Sequence, residues 1–227
     1  MKKNSKKVFL FGIFLLFACL SSNAQNWANF KRYADANILI DTPPKVVFMG
    51  DSITDAWVNF CPEFFLENNF AGRGISGQVT SQMLLRFQRD VVSLHPKKVV
   101  ILAGINDIAE NQGPIDLKDT FLNICSMADI AKANGIEPII CSLLPANKLP
   151  WRKNRNPSDK VIELNKMLSD YAKKNNIKFV DYYSAMVDEN QGLAGKYGRP
   201  DKNGPDAVHP GRDGYLLMQR IVLEALK

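Results

Sequence analysis

Val46-Val47-Phe48-Met49-Gly50-Asp51-Ser52-Ile53-Thr54 opens with an unbroken apolar run that stops at a glycine and two small polar residues. An apolar run this short, closed by glycine, reads as a β-strand buried on both faces. Strands of that kind belong to parallel sheets covered by helices. Three further runs match it: Lys98 to Ala103, Glu137 to Leu143, and Ile177 to Val180. Asn69 to Ala71 reads as a short edge strand. Between them lie helical patterns. Val79, Met83, Phe87 and Val91 recur at steps of four, and Leu117, Phe121, Ile124, Cys125 and Ala128 share one face. So do Val161, Leu164, Met167, Leu168 and Tyr171. Tyr215 to Leu226 closes the chain as a helix, and Trp27, Phe30 and Ala34 suggest a helix leading in. Alternating strands and helices predict an α/β fold, a three-layer α/β/α sandwich around a parallel sheet. Ligands bind such sheets at the carboxyl ends of the strands.

The chain has 227 residues, enough for one domain with a full core, and 46% of them are hydrophobic, which argues against disorder. Its start is of another character. Lys2, Lys3, Lys6 and Lys7 precede the apolar stretch Val8 to Leu20, and Ser22-Asn23-Ala24 supplies the small residues of a signal-peptidase site. Residues 1–24 therefore read as a cleaved export signal, and 25–227 as a single domain that is periplasmic or secreted. A retained anchor is the alternative, with Leu16-Phe17-Ala18-Cys19 as a weak lipobox through Cys19. No stable membrane insertion is expected after cleavage. The formal charge of +6 falls by the four signal lysines to +2, so the pI near 9.1 makes no case for nucleic acid as a partner. Cys61, Cys125 and Cys141 remain, an odd number, and Cys125 and Cys141 sit in apolar stretches as packing residues. With His95 and His209 the only histidines and no paired cysteines, no metal is expected. No glycine-rich fingerprint follows the first strand, so no nucleotide cofactor is expected either.

Three strand ends and one late segment carry candidate chemistry. Ser52, in a strand-to-helix turn, is placed as a nucleophile with its own N–H as an oxyanion donor. The bland alternative is a capping serine. Gly104-Ile105-Asn106-Asp107 follows the second long strand, and the Asn106 amide can donate to a developing oxyanion or simply cap a helix. Gly72-Arg73-Gly74-Ile75-Ser76-Gly77-Gln78 lies between them, where glycines allow close backbone approach. Asp206-Ala207-Val208-His209-Pro210 pairs an imidazole, able to act as a base near neutral pH, with a carboxylate three residues earlier in a turn. His95 is also followed by proline but has no such carboxylate, and is assigned no role. A cysteine nucleophile is the rival chemistry.

Together the four segments resemble the SGNH/GDSL hydrolase family, and the resemblance runs from Val46 to His209. Ser52, Gly77, Asn106 and His209 fall in the order of the family's four named residues, and Asp206-x-x-His209 matches its D-x-x-H pair. Ile53 stands where the name motif has leucine. Trp57 and GDSIT look closest to the acetylhydrolase-like branch, which resembles platelet-activating-factor acetylhydrolase subunits. The resemblance implies a flavodoxin-like sheet and a serine esterase. Its catalytic residues are Ser52, Asp206 and His209, with an oxyanion hole of Ser52, Gly77 and Asn106 and no cofactor. It implies small acyl esters, such as O-acetyl groups on glycans, as substrates. A lysophospholipase or thioesterase is the enzymatic alternative, and a non-catalytic glycan-binding protein the alternative of another class. Pro145 to Pro157 is expected to border the pocket, with Trp151 either stacking on a sugar or covering the core.

Overall fold

The structure is a computed structural model that describes residues 26–152 and 155–227; the proposed export signal lies outside them. The strands are β1 (Val46–Gly50), β2 (Phe70–Gly74), β3 (Lys98–Leu102), β4 (Glu137–Cys141) and β5 (Lys178–Val180). They form one sheet in the order β2-β1-β3-β4-β5, parallel throughout. Alternate residues of each strand face opposite layers. Val47, Met49, Val99 and Ile101 pack with helices α4 (Thr80–Asp90), α6 (Leu117–Ala133) and α7 (Ser158–Lys174). Val46, Phe48, Val100 and Leu102 pack with α2 (Ser52–Phe60), α3 (Pro62–Asn68), α8 (Tyr182–Met186) and α9 (Arg212–Leu226). This is the α/β/α sandwich expected of double-faced apolar strands. Trp57 belongs to the second layer: it is buried and stacks between Phe64 and Tyr215 at centroid distances of 5.5 and 5.6 Å.

Two expectations differ in detail. The lead-in helix is confined to α1 (Ala34–Ile38), because Asn29 adopts a left-handed φ of +53° that interrupts any helix running from Trp27. The Asp206–His209 segment is a strand rather than a turn. It belongs to β7 (Gly204–Pro210), antiparallel to β6 (Gly198–Asp201) in a two-stranded sheet of its own.

β1 lies between β2 and β3, so the strand order switches direction beside it. The carboxyl ends at such a switch point are where a parallel sheet opens a crevice. Gly74 brings the end of β2 against the first turn of α2; a methyl there would run into the Asp55 N–H and the Asp51 carbonyl. The sequence pattern suggested a glycine kept for a ligand, whereas the close partner is the helix that starts with Ser52.

Candidate active site

Ser52 is the first residue of α2. The cap is Asp51, whose buried carboxylate accepts from the Ile53 N–H at 2.9 Å. That division of labour leaves the Ser52 hydroxyl out of the cap. Burial pushes the Asp51 carboxyl up to about 6, against the bond from Ile53. Across the crevice, β7 carries His209, and its Nε2 lies 3.0 Å from Ser52 Oγ. Its Nδ1 lies 3.0 Å from Asp206 Oδ2, while Asp206 Oδ1 accepts from the N–H groups of Val208 and His209 at 2.9 and 3.0 Å. Burial works against the ionised form of Asp206. The His209 ring and those two N–H groups outweigh it and hold the carboxyl well below the usual carboxylate range. Arg199, on β6, adds a bond to Asp206 Oδ2 at 3.1 Å. A serine hydroxyl, an imidazole and an ionised carboxylate in one line are arranged for proton transfer away from the serine.

Gly77 lies in the loop after β2 and Asn106 in the helical turn after β3. Gly77 has a φ of +79°, is exposed, and a side chain there would meet open space. Asn106, in α5 (Ile105–Ile108), is buried, and its Nδ2 donates to the Gln78 carbonyl at 3.0 Å. Its neighbour Asp107 accepts from the Thr80 N–H at 2.9 Å and from Thr80 Oγ1 at 2.5 Å. Burial pushes this carboxyl to about 6, against the bonds from Thr80. The Asn-Asp pair thus staples the end of the Gly77 loop to the turn after β3. Beneath the loops runs a buried arginine that the sequence reading missed. Arg86 of α4 donates to the Gly50 carbonyl at 3.0 Å, to Gln78 Oε1 at 2.6 Å and to Asp90 Oδ2 at 3.0 Å. The available signal was an Arg86/Asp90 pair one turn apart beside the apolar lane of Met83 and Phe87.

The remaining candidates separate clearly. His95 is exposed at the carboxyl end of the turn after α4, on a left-handed φ of +51°, and takes no part in the crevice. Cys61, Cys125 and Cys141 are buried and unbridged. Burial pushes the Cys125 thiol to about 12, and the Cys61 and Cys141 thiols up as well, which is unfit for a nucleophile. Within the Pro145–Pro157 segment, Trp151 is exposed and its ring sits 6.0 Å from the His209 ring. Behind the serine, a cavity of about 10 Å³ is lined by Asp51, Ile53, Leu102, Leu143, Pro145 and Val208. It holds at most one water. Among the described residues, no three His, Cys, Asp or Glu side chains gather in a metal-holding group. None of the described helices is long and apolar enough to cross a membrane.

Residues 48–217 match the model of the GDSL-like Lipase/Acylhydrolase family. A GDSL-like lipase from Bacteroides thetaiotaomicron VPI-5482 is 46% identical, with a TM-score of 0.82 over 87% of this chain and 97% of its own. A proposed acylhydrolase from Bacteroides fragilis NCTC 9343 is 45% identical, with a TM-score of 0.81 over 88% of this chain and 96% of its own. An uncharacterized lipoprotein of Bacillus subtilis (strain 168) is 31% identical over 93 residues; these are 39% of this chain, and the chain spans only 38% of that relative.

Proposed function

The chain belongs to the GDSL-like lipase/acylhydrolase family, and from that premise we propose that it is an exported serine esterase for short acyl esters, with O-acetyl groups on glycans as the substrate class. The observation that carries the reading is the unbroken line from Ser52 Oγ through the His209 ring to Asp206, with 3.0 Å at each step. Ser52 Oγ attacks the acyl carbon as His209 Nε2 takes its proton. Asp206 stays ionised and stabilises the imidazolium. The negative charge that forms on the carbonyl oxygen meets the N–H groups of Ser52 and Gly77 and the second Nδ2 hydrogen of Asn106. The tetrahedral species collapses, the C–O bond to the alcohol breaks, and His209 returns the proton to the departing oxygen. Water then attacks the acyl-enzyme by the same route and frees the acid.

The preference for short acyl groups rests on the resemblance of the Gly50-Asp51-Ser52-Ile53-Thr54 and Trp57 pattern to the acetylhydrolase-like branch. With p-nitrophenyl esters, kcat/KM is expected to be highest for acetate or propionate. A fluorophosphonate probe is expected to add its mass to Ser52. A higher kcat/KM for octanoate would favour a lysophospholipase or thioesterase instead. Glycan binding without hydrolysis or labelling would favour the non-catalytic reading.

Export rests on the lysine-rich start and the Ser22-Asn23-Ala24 site, with 25–227 as the mature domain. Mass spectrometry of the exported protein is expected to find Gln25 at the N-terminus. A lipid on Cys19 would place the protein with the lipoproteins, the class in which its Bacillus subtilis relative is named; an intact Met1 would refute cleavage altogether.

A further inference from the structure

An amide can point either way unless its partners have a fixed sense, and the oxyanion amide of Asn106 is fixed from two ends. At one end is the Gln78 carbonyl, which can only accept. It takes one hydrogen of Asn106 Nδ2, at 3.0 Å. At the other end is the Trp151 indole, which can only donate. Trp151 Nε1 donates to Asn111 Oδ1 at 3.0 Å. That bond turns the Asn111 amide so that its nitrogen faces inward, and Asn111 Nδ2 donates to Asn106 Oδ1 at 2.7 Å. The backbone adds a parallel tie, from the Asn111 N–H to the Asn106 carbonyl at 3.0 Å. Every link therefore has one permitted direction.

We propose that Asn111 and Trp151 are positioning residues for the esterase reaction: they hold Asn106 with its donor, not its acceptor, toward the oxyanion, and they tie that orientation to the loop beside His209. The inference rests on the esterase reading above. Without Asn111, only the Gln78 carbonyl still opposes a flip that turns Asn106 Oδ1 toward the crevice. An acceptor there would repel the developing negative charge instead of binding it. The same indole edge that locks the relay belongs to a ring 6.0 Å from the His209 ring, on the wall of the crevice. Trp151, for which the sequence leaves both sugar stacking and core cover open, thus acquires a chemical task. Arg152 steadies it, donating to the Glu110 carbonyl at 2.8 Å, one residue from Asn111.

Asn111→Asp is the sharpest test. The ionised carboxylate keeps an acceptor for Trp151 but has no hydrogen for Asn106. On p-nitrophenyl acetate, kcat is expected to fall by about 10–100-fold with little change in KM, somewhat less than loss of an oxyanion donor outright. Trp151→Phe keeps the ring, removes the N–H and is expected to produce a smaller fall of the same kind. The decisive comparison is the background. Once Asn106 is alanine there is no amide left to orient, so adding Asn111→Asp to Asn106→Ala is expected to change kcat no further. A merely structural Asn111 would lower thermal stability and cost activity in both backgrounds. Wild-type kcat in Asn111→Asp, or losses that multiply in the double variant, overturns the relay. Fluorophosphonate labelling of Ser52 separates the two levels. With Ser52 labelled and esters hydrolysed, those outcomes sink the relay alone. If the wild type is neither labelled nor active, the esterase reading falls and the relay with it.

Discussion

Ser52→Ala and His209→Ala are each expected to reduce kcat by on the order of 10⁴ to 10⁶, with melting temperature unchanged. The two losses are not expected to multiply, because a nucleophile without its base and a base without its nucleophile are equally idle. Neither side chain is part of the core clusters, so truncation opens no cavity. Asp206→Asn is expected to cost less than His209→Ala, since an amide still contacts the ring but no longer stabilises its charge. Asn106→Ala should lower kcat by about 10²–10³ with a smaller change in KM, as a group that acts mainly in the transition state does. His95→Ala is the control. The chain has two histidines, and the proposed mechanism gives chemistry to one. A dead His95→Ala beside an active His209→Ala would overturn the site.

The second large effect concerns stability. Arg86 is wholly buried, and its three partners are the carbonyl that ends β1, the Gln78 side chain and Asp90. Arg86→Met leaves Asp90 buried without its cation, which is expected to cost about 3–5 kcal/mol in urea unfolding. Arg86→Met with Asp90→Leu should recover part of that, because replacing both members of a buried pair is far cheaper than stranding one. Activity should not recover in step, since Gly50 and Gln78 still lack their donor. Gly50 immediately precedes Asp51 and Ser52, and the Gln78 carbonyl holds Asn106. An Arg86→Met protein within 1 kcal/mol of wild type, a limit set below the usual penalty for a stranded charge, would show that the pair is not the anchor described.

How much of this was legible beforehand depended on the kind of residue. Strands β1, β3 and β4 could be read because burial on both faces demands uninterrupted apolar residues, and local composition records that directly. Ser52 and Asn106 could be singled out as candidates because strand ends are where a parallel sheet exposes its polar residues, and the Asp206/His209 pair because a carboxylate stands three residues before an imidazole. The β6–β7 hairpin was not. Gly198-Arg199-Pro200-Asp201 and Gly204-Pro205-Asp206 are rich in residues that weaken strands, and the hairpin exists because it packs on α9, a tertiary fact. Arg86 and Asn111 were missed for a related reason. Gly50 and Gln78 for Arg86, and Trp151 for Asn111, lie in other elements, and an isolated arginine or asparagine looks like a surface residue until the fold encloses it. Arg199 is exposed by 43% at its side chain and touches Asp206 only because the hairpin brings β6 alongside β7.

The placement of the base on that late hairpin also bears on biosynthesis. Ser52 and His209 are 157 residues apart in the chain. A ribosome adding roughly 5–20 residues per second exposes the serine roughly 8 to 30 seconds before the histidine. On the proposed reading, the nascent chain has the hydroxyl throughout that interval without the imidazole that would take its proton. The unfinished polypeptide would therefore lack a working triad until β7 folds back to the end of β1.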